Sequence, residues 1–256
     1  MKNEAPLFFS YREPLFYSIV YTMLMQLITS LSEVKAVIFD VDGTLYTQGR
    51  LRSKMLVALL SYYSVRPWRF REMLLLQRFR AEREKRAGAS GPDLENAQYT
   101  WCSDGGRIPV EKIRQVVDRW MFRHPNQYLL KCVYPGTHSF FAALRQHGIK
   151  IGIYSDYTAH DKLAAMGLAA DIVVSSTDPE IDQLKPAPAG LLYIAEQLGL
   201  APADCLFIGD RQELDGLCAE QAGMPYLILD KKPSNNFTFY QQLERTLSPS
   251  FPTIAL

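Results

Sequence analysis

Two textures of apolar and polar residues alternate along this chain. From Val34 to Asp40 (VKAVIFD) a short apolar run rich in β-branched residues ends at Asp42-Gly43, the pattern of a buried strand closed by a turn. Between about 51 and 131 the apolar residues recur instead at three- and four-residue spacing. They do so in LRSKMLVALLSYYSV, from Trp68 to Arg86, and in VEKIRQVVDRWMF, with Gly88–Pro92 and Gly105–Pro109 as breaks. Helices are expected there and no strand. After Pro135-Gly136 the two signals interleave: helical SFFAALRQHG before the strand IKIGIYS, HDKLAAMGL before DIVVSS, AGLLYIAEQLG before CLFIG, and LDGLCAEQAG before PYLIL. Strands alternating with helices of about ten residues indicate βαβ units and a parallel sheet. Gly148, Gly167, Gly199 and Gly223 stand where each helix should end in a left-handed cap.

The fold class expected is therefore α/β, a Rossmann-like, doubly wound parallel sheet interrupted after its first strand by an all-helical insertion. Residues 34–48 and 134–232 form the core and 49–133 the insertion, with a C-terminal helix and tail over 233–256. Residues 1–33 are an apolar extension. Within it, Leu15–Leu31 has seventeen mostly apolar residues and no formal charge, but Ser18, Thr22, Gln26 and Thr29 dilute it and Glu4 and Glu13 precede it. A packed or partner-facing helix is the preferred reading over a membrane anchor or an export signal.

Composition narrows the class further. With 48% hydrophobic and 21% charged residues the chain is globular, and a net charge of +1 gives no electrostatic reason to expect nucleic acid or a membrane surface as partner. Cys102, Cys132, Cys205 and Cys218 are widely spaced, with no zinc-type pair, which fits a reducing, cytoplasmic setting. His124, His138, His147 and His160 share no metal spacing and read as structural, and Asn236-Phe237-Thr238 matches a glycosylation sequon that matters only on export.

Candidate chemistry gathers at strand ends. Asp40 and Asp42 lie at the carboxyl end of the first strand, where open α/β sheets bind ligands. A calcium loop also begins Asp-x-Asp, but it needs glycine at position 6 and glutamate at position 12, and here Gly43 stands fourth and Leu51 twelfth. A plain Asp-Gly turn is the bland alternative. Ser155-Asp156, Lys185 and Gly209-Asp210, with Asp215 five residues on, follow later strands, so all of them fall at one sheet edge. From Arg66 to Arg86 eight basic residues (Arg66, Arg69, Arg71, Arg78, Arg80, Arg83, Lys85, Arg86) face three acidic ones, most simply a solvated helix face. The sharper alternative is that one or two of these arginines grip an anionic substrate tail.

In DVDGTL (Asp40–Leu45), Ser155 of YSD, Lys185 of KPAP and GDRQELD (Gly209–Asp215), the chain resembles the haloacid dehalogenase-like hydrolase superfamily, and within it the phosphoglycolate phosphatase-like branch. The resemblance implies a Mg²⁺-dependent phosphatase acting on a small phosphorylated metabolite, with the helical insertion as cap. It implies Asp40 as nucleophile, Asp42 as general acid and base, and Ser155, Lys185, Gly43, Thr44 and Asp156 about the phosphoryl group. The metal ligands implied are Asp40, the Asp42 carbonyl and Asp210, with Asp215 in direct or water-mediated support. Two residues depart from the family pattern: Asp156, where many relatives are neutral, and Arg211, where a small residue is common. A phosphomutase would keep every motif, and a non-catalytic phospho-ligand-binding protein would be expected to have lost one. The oligomer expected is a monomer or a dimer.

Overall fold

The computed structural model describes residues 34–229 and 237–247. The apolar extension at 15–31 and Asn236 of the sequon lie outside them. Among the described residues no helix is long and apolar enough to cross a membrane.

The first element is β1 (Ala36–Phe39), and the chain then leaves the sheet for five helices: α1 (Gln48–Ser64), α2 (Arg71–Lys85), α3 (Leu94–Thr100), α4 (Val110–Val117) and α5 (Asn126–Leu129). It returns through α6 (Thr137–Gln146), β2 (Lys150–Ser155), α7 (His160–Met166), β3 (Ile172–Ser175), α8 (Ala189–Gln197), β4 (Cys205–Gly209), α9 (Leu217–Ala222) and β5 (Tyr226–Ile228), and ends in α10 (Phe239–Leu247). The five strands pair in the order β3-β2-β1-β4-β5, all in parallel. Sequence order reverses beside β1, whose neighbours are β2 and β4. Such a switch point opens the crevice where doubly wound sheets take their ligands.

Helices on both faces explain why the strands read as continuous apolar runs. Odd-numbered β1 residues Val37 and Phe39 pack on one side with Ile151, Ile153, Leu206 and Ile208, against α6, α7 and α10. Even-numbered Ala36 and Ile38 pack on the other with Tyr154, Phe207, Leu191 and Ile194. The C-terminal helix is part of the first layer: Tyr240 is fully buried, stacks on Phe140, and donates a 2.7 Å hydrogen bond to the Thr44 carbonyl. Gly167 and Gly223 close α7 and α9 in the left-handed conformation, as their positions suggested.

The helical insertion buries its own apolar cluster, with Tyr63, Phe79, Tyr99, Ile113, Val117 and Trp120 at the centre. The seven-residue α3 escapes a periodicity reading because only Leu94 and Tyr99 supply its buried apolar contacts. Its start is capped locally by Asp93, whose carboxylate accepts the Asn96 N–H, and from outside by the Asp182 carboxylate, which accepts the N–H groups of Asp93 and Leu94 at 2.6 and 2.7 Å. The next link is main-chain pairing, in which Gly88 N–H donates to the Lys185 carbonyl and Leu184 N–H to that of Ala89, both at 2.9 Å. The insertion is thereby tied to the segment that carries Lys185.

Candidate active site

β1 delivers Asp40 to the switch point, and the tight turn after it determines what each acid does. Asp40 N–H donates to the Ile208 carbonyl of β4 at 2.9 Å, which extends the sheet by one bond past Phe39. Thr44 Oγ1 donates to Asp40 Oδ2 at 2.9 Å, and Tyr46 Oη to Asp42 Oδ1 at 2.6 Å, each across four residues of the turn. The two carboxylates are thus held apart by local partners. Gly43 has φ of +106°, and a Cβ there would stand 2.1 Å from Asp210 Oδ2. Only glycine lets Asp210, at the end of β4, approach the turn so closely.

Lys185 is buried at the centre. Its Nζ donates to Asp40 Oδ1 at 2.9 Å and to Asp215 Oδ1 at 2.8 Å, with the Tyr154 ring 4.9 Å away. The second oxygen of Asp215 accepts the N–H groups of Asp210 and Arg211 at 3.1 and 3.0 Å. A wide turn at Gln212–Gly216 brings Asp215 back over the strand end to do this. Asp215 therefore shapes the Asp210 loop. Carboxylate oxygens of Asp40, Asp210 and Asp215 lie within 4.8 Å of one another, all buried.

Burial pushes the Asp40 carboxyl up; Lys185 opposes this, while Asp215, Asp210 and Asp156 add to it, leaving it at about 8. The balance differs at Asp42. Burial alone would raise it, but Lys162 and the Tyr46 hydroxyl outweigh that and hold it below its ordinary value. Clustered carboxylates that outnumber their one contacting lysine suit a hard divalent cation, and Mg²⁺ prefers such oxygen donors. The donor set fits the ion. The Asp42 carbonyl, which accepts from Gln48 Nε2, borders the same turn.

The strand-end motifs expected to converge do so, with different exposures. Asp40, Asp42, Asp156, Lys185, Asp210 and Asp215 line one cavity of about 590 Å³. Gly43, Thr44 and Ser155 are not on its wall: Thr44 is turned to Asp40, Gly43 packs on Asp210, and Ser155 is fully buried, its Oγ accepting the Tyr157 N–H at 3.3 Å. Asp156 faces the cavity, and its carbonyl accepts from Arg83 at 2.6 Å. Arg211 reaches across to Glu84 of α2 and pairs with Glu213 at 2.8 Å. Of the eight basic residues between 66 and 86, Arg80 and Arg83 line the cavity. Others are spent elsewhere, Arg69 on Glu72, Arg78 on Asp104, and Lys85 and Arg86 on Glu82.

Sequence reasoning missed Lys162. Its Nζ donates to both Asp42 oxygens, at 2.6 and 2.7 Å, from a side chain only 6% exposed. A signal was present: Lys162 lies in the first turn of α7, where the helix dipole disfavours a cation. A lysine kept there needs a carboxylate partner, and Asp42 is that partner.

A family model for the haloacid dehalogenase-like hydrolases matches residues 34–223. Relatives include YhcW of Bacillus subtilis, named as a phosphatase, at 31% identity over 125 residues, which are 48% of this chain and 56% of that one. The phosphoglycolate phosphatase of Mannheimia succiniciproducens is 25% identical over 75% of this chain and 84% of its own. Among solved structures, a phosphatase of the same superfamily from Thermococcus onnurineus aligns at a TM-score of 0.52 and 25% identity, over 79% of this chain and 90% of that one. Together with the strand order and the convergence of four motifs at the switch point, these matches make the chain an enzyme of the haloacid dehalogenase-like hydrolase family, similar to its phosphoglycolate phosphatase-like members.

Proposed function

We propose that the chain is a Mg²⁺-dependent phosphatase that hydrolyses phosphomonoesters through an aspartyl-phosphate on Asp40. The observation that carries this reading is the single contact network of Asp40, Lys185, Asp215 and Asp210 at the switch point. Asp40 is held at both oxygens, by Thr44 and Lys185, so little rotational freedom is lost when it meets phosphorus. Asp40, Asp210 and the Asp42 carbonyl would hold Mg²⁺, which would supply positive charge against the phosphoryl and carboxylate groups. Lys185 adds a fixed cation, and main-chain N–H groups beside Asp42 and Asp156 complete the phosphoryl cradle, with the buried Ser155 behind it.

Asp42 does the proton work. Lys162 and Tyr46 keep it ionised, the form that takes a proton from water when the aspartyl-phosphate is hydrolysed. In the first half-reaction a substrate arriving as the monoanion brings the proton that Asp42 relays to the leaving oxygen, since phosphomonoesters lose their second proton near pH ~6. Atoms balance: the ester and water become the alcohol and inorganic phosphate, and Asp40 and Asp42 are regenerated. Residues 49–133 act as the cap, with Arg83 and Arg211 bridging cap to core. Phosphate release from a phosphomonoester panel with and without Mg²⁺ tests the reading. Activity that survives chelation, or BeF₃⁻ that fails to bind the wild type with Mg²⁺, overturns it.

A further inference from the structure

The two walls of the cavity differ in chemistry. Acids and lysines fill the sheet side, whereas the helical side presents Met55, Leu59, Met73, Leu76, Met121 and Phe122. All but Leu76 of these six are only partly covered by protein, and Leu56 on the same wall is 52% exposed. At ~30 Å³ per water-sized group, 590 Å³ has room for roughly twenty such groups, so a two-carbon phosphate ester leaves more than half of it empty. Apolar surface left facing water is a surface that an apolar ligand gains by covering. Three methionines add a wall that reshapes around different bodies.

The cations on the wall argue against a second anionic group on the ligand. Arg83 is committed to Gln98, to the Asp156 carbonyl and to the face of Tyr157. Arg211 is held by Glu84 and Glu213, Arg52 donates to Gln48, and Lys162 and Lys185 hold the acids of the turn and the centre. Among the described residues Arg80 alone of the lining cations makes no hydrogen bond or ion pair. Its charge is felt at Tyr46 and Tyr157, beside Asp42. Five of the six lining cations are thus committed, and Arg80 alone is left to meet a second anionic group.

Resting on the phosphatase reading above, we infer that the substrate is the phosphomonoester of an amphiphilic alcohol, its apolar body about six or more carbons long and lying against α1, α2 and the segment 120–129. The anionic tail that the basic stretch suggested is replaced by an apolar one. The test is a series of ethyl, butyl, hexyl and octyl phosphate, all below micelle-forming concentration, beside phosphoglycolate. Phosphate release by the wild type with Mg²⁺ gives kcat/KM, and calorimetric binding to the Asp40→Asn protein gives affinity without turnover. Each buried methylene should improve both by about three- to fourfold until the wall is covered, at least roughly fiftyfold from ethyl to octyl. Leu56→Asn, an exposed position that does not threaten folding, should lower the octyl-to-ethyl ratio by about threefold or more. Hydrolysis that is flat along the series, or best with phosphoglycolate, overturns the apolar substrate and leaves the phosphatase reading standing. Binding that rises with chain length while no ester is cleaved retains the amphiphile as ligand and overturns hydrolysis instead. An L56N ratio equal to that of the wild type overturns the assignment to this wall.

Discussion

Lys185→Met removes the cation that touches both Asp40 and Asp215 while keeping a side chain of similar reach. Lys185 is 1% exposed and forms two charge-assisted hydrogen bonds, at 2.9 and 2.8 Å. Breaking a buried ion pair from one side costs about 3–5 kcal/mol, because the remaining charge stays desolvated. For a chain of this size that lowers Tm by roughly 6–20 °C, at ~2–4 °C per kcal/mol. The pH dependence is more discriminating. Asp40 titrates at about 8 in the folded protein, through burial opposed by Lys185, and near ~3.9 in the unfolded chain. The native state therefore binds the extra proton between those values, and stability falls as pH rises through that window. Without Lys185 the folded value moves higher still, so wild type and variant lose stability in parallel up to about pH 8. Above it only the variant continues to lose, at ~1.4 kcal/mol per pH unit. Urea denaturation followed by circular dichroism, in chelator at pH 6 and pH 9.5, reads both effects. A deficit below ~1 kcal/mol at pH 6 would refute Lys185 as the counter-charge of the buried Asp215, and one that does not grow toward pH 9.5 would refute it as the counter-charge of Asp40.

Asp40→Asn should abolish phosphate release and, in the absence of metal, stabilise the fold by about 1–3 kcal/mol at pH 7, since an amide need not take up the proton that burial imposes on Asp40; a thermal melt that falls instead would count against that account. Asp210→Asn should eliminate Mg²⁺ binding by calorimetry, whereas Asp215→Asn should weaken it by ~10–100-fold through the Asp210 loop. Equal loss from both would make Asp215 a direct ligand. Lys162→Met should lower kcat by ~10-fold or more and move the acidic limb of the pH–rate profile upward, because Lys162 is what holds the Asp42 carboxyl down. Lys162→Arg should recover part of both, and a pH profile unmoved by K162M would reduce that lysine to packing.

The strands could be read because a sheet covered on both faces leaves short apolar runs between turn residues, and CLFIG at Cys205–Gly209 matches its element end to end. Helix α3 is not legible by periodicity, because its seven residues bury only two apolar side chains, although Asp93 caps its start locally and Asp182 braces it from a distance. The acids of the site were legible for a topological reason: once strands are parallel, the residues after Phe39, Ser155 and Gly209 must share an edge. What each acid does there was less legible. Asp215 has one oxygen on Lys185 and the other on two main-chain N–H groups, an arrangement that depends on the wide turn at Gln212–Gly216 and leaves no mark in composition or spacing.

The contacts at Asp40 and Asp42 explain that limit. Thr44 to Asp40 and Tyr46 to Asp42 each span four residues and belong to one turn, so the motif carries its own scaffold and can be recognised as a string. Lys185 to Asp40 spans 145 residues, and Lys162 to Asp42 spans 120. The Lys162 contact holds the Asp42 carboxyl down, whereas at Asp40 burial raises the carboxyl against the opposing pull of Lys185. Two carboxylates of one turn, separated by a single valine, are given opposite titration shifts by their burial and by partners from different parts of the chain. Residue identity in the motif specifies that two acids are present. How each acid titrates is set by its burial and by the lysine the fold brings to it, and a sequence displays that only after the sheet order is known.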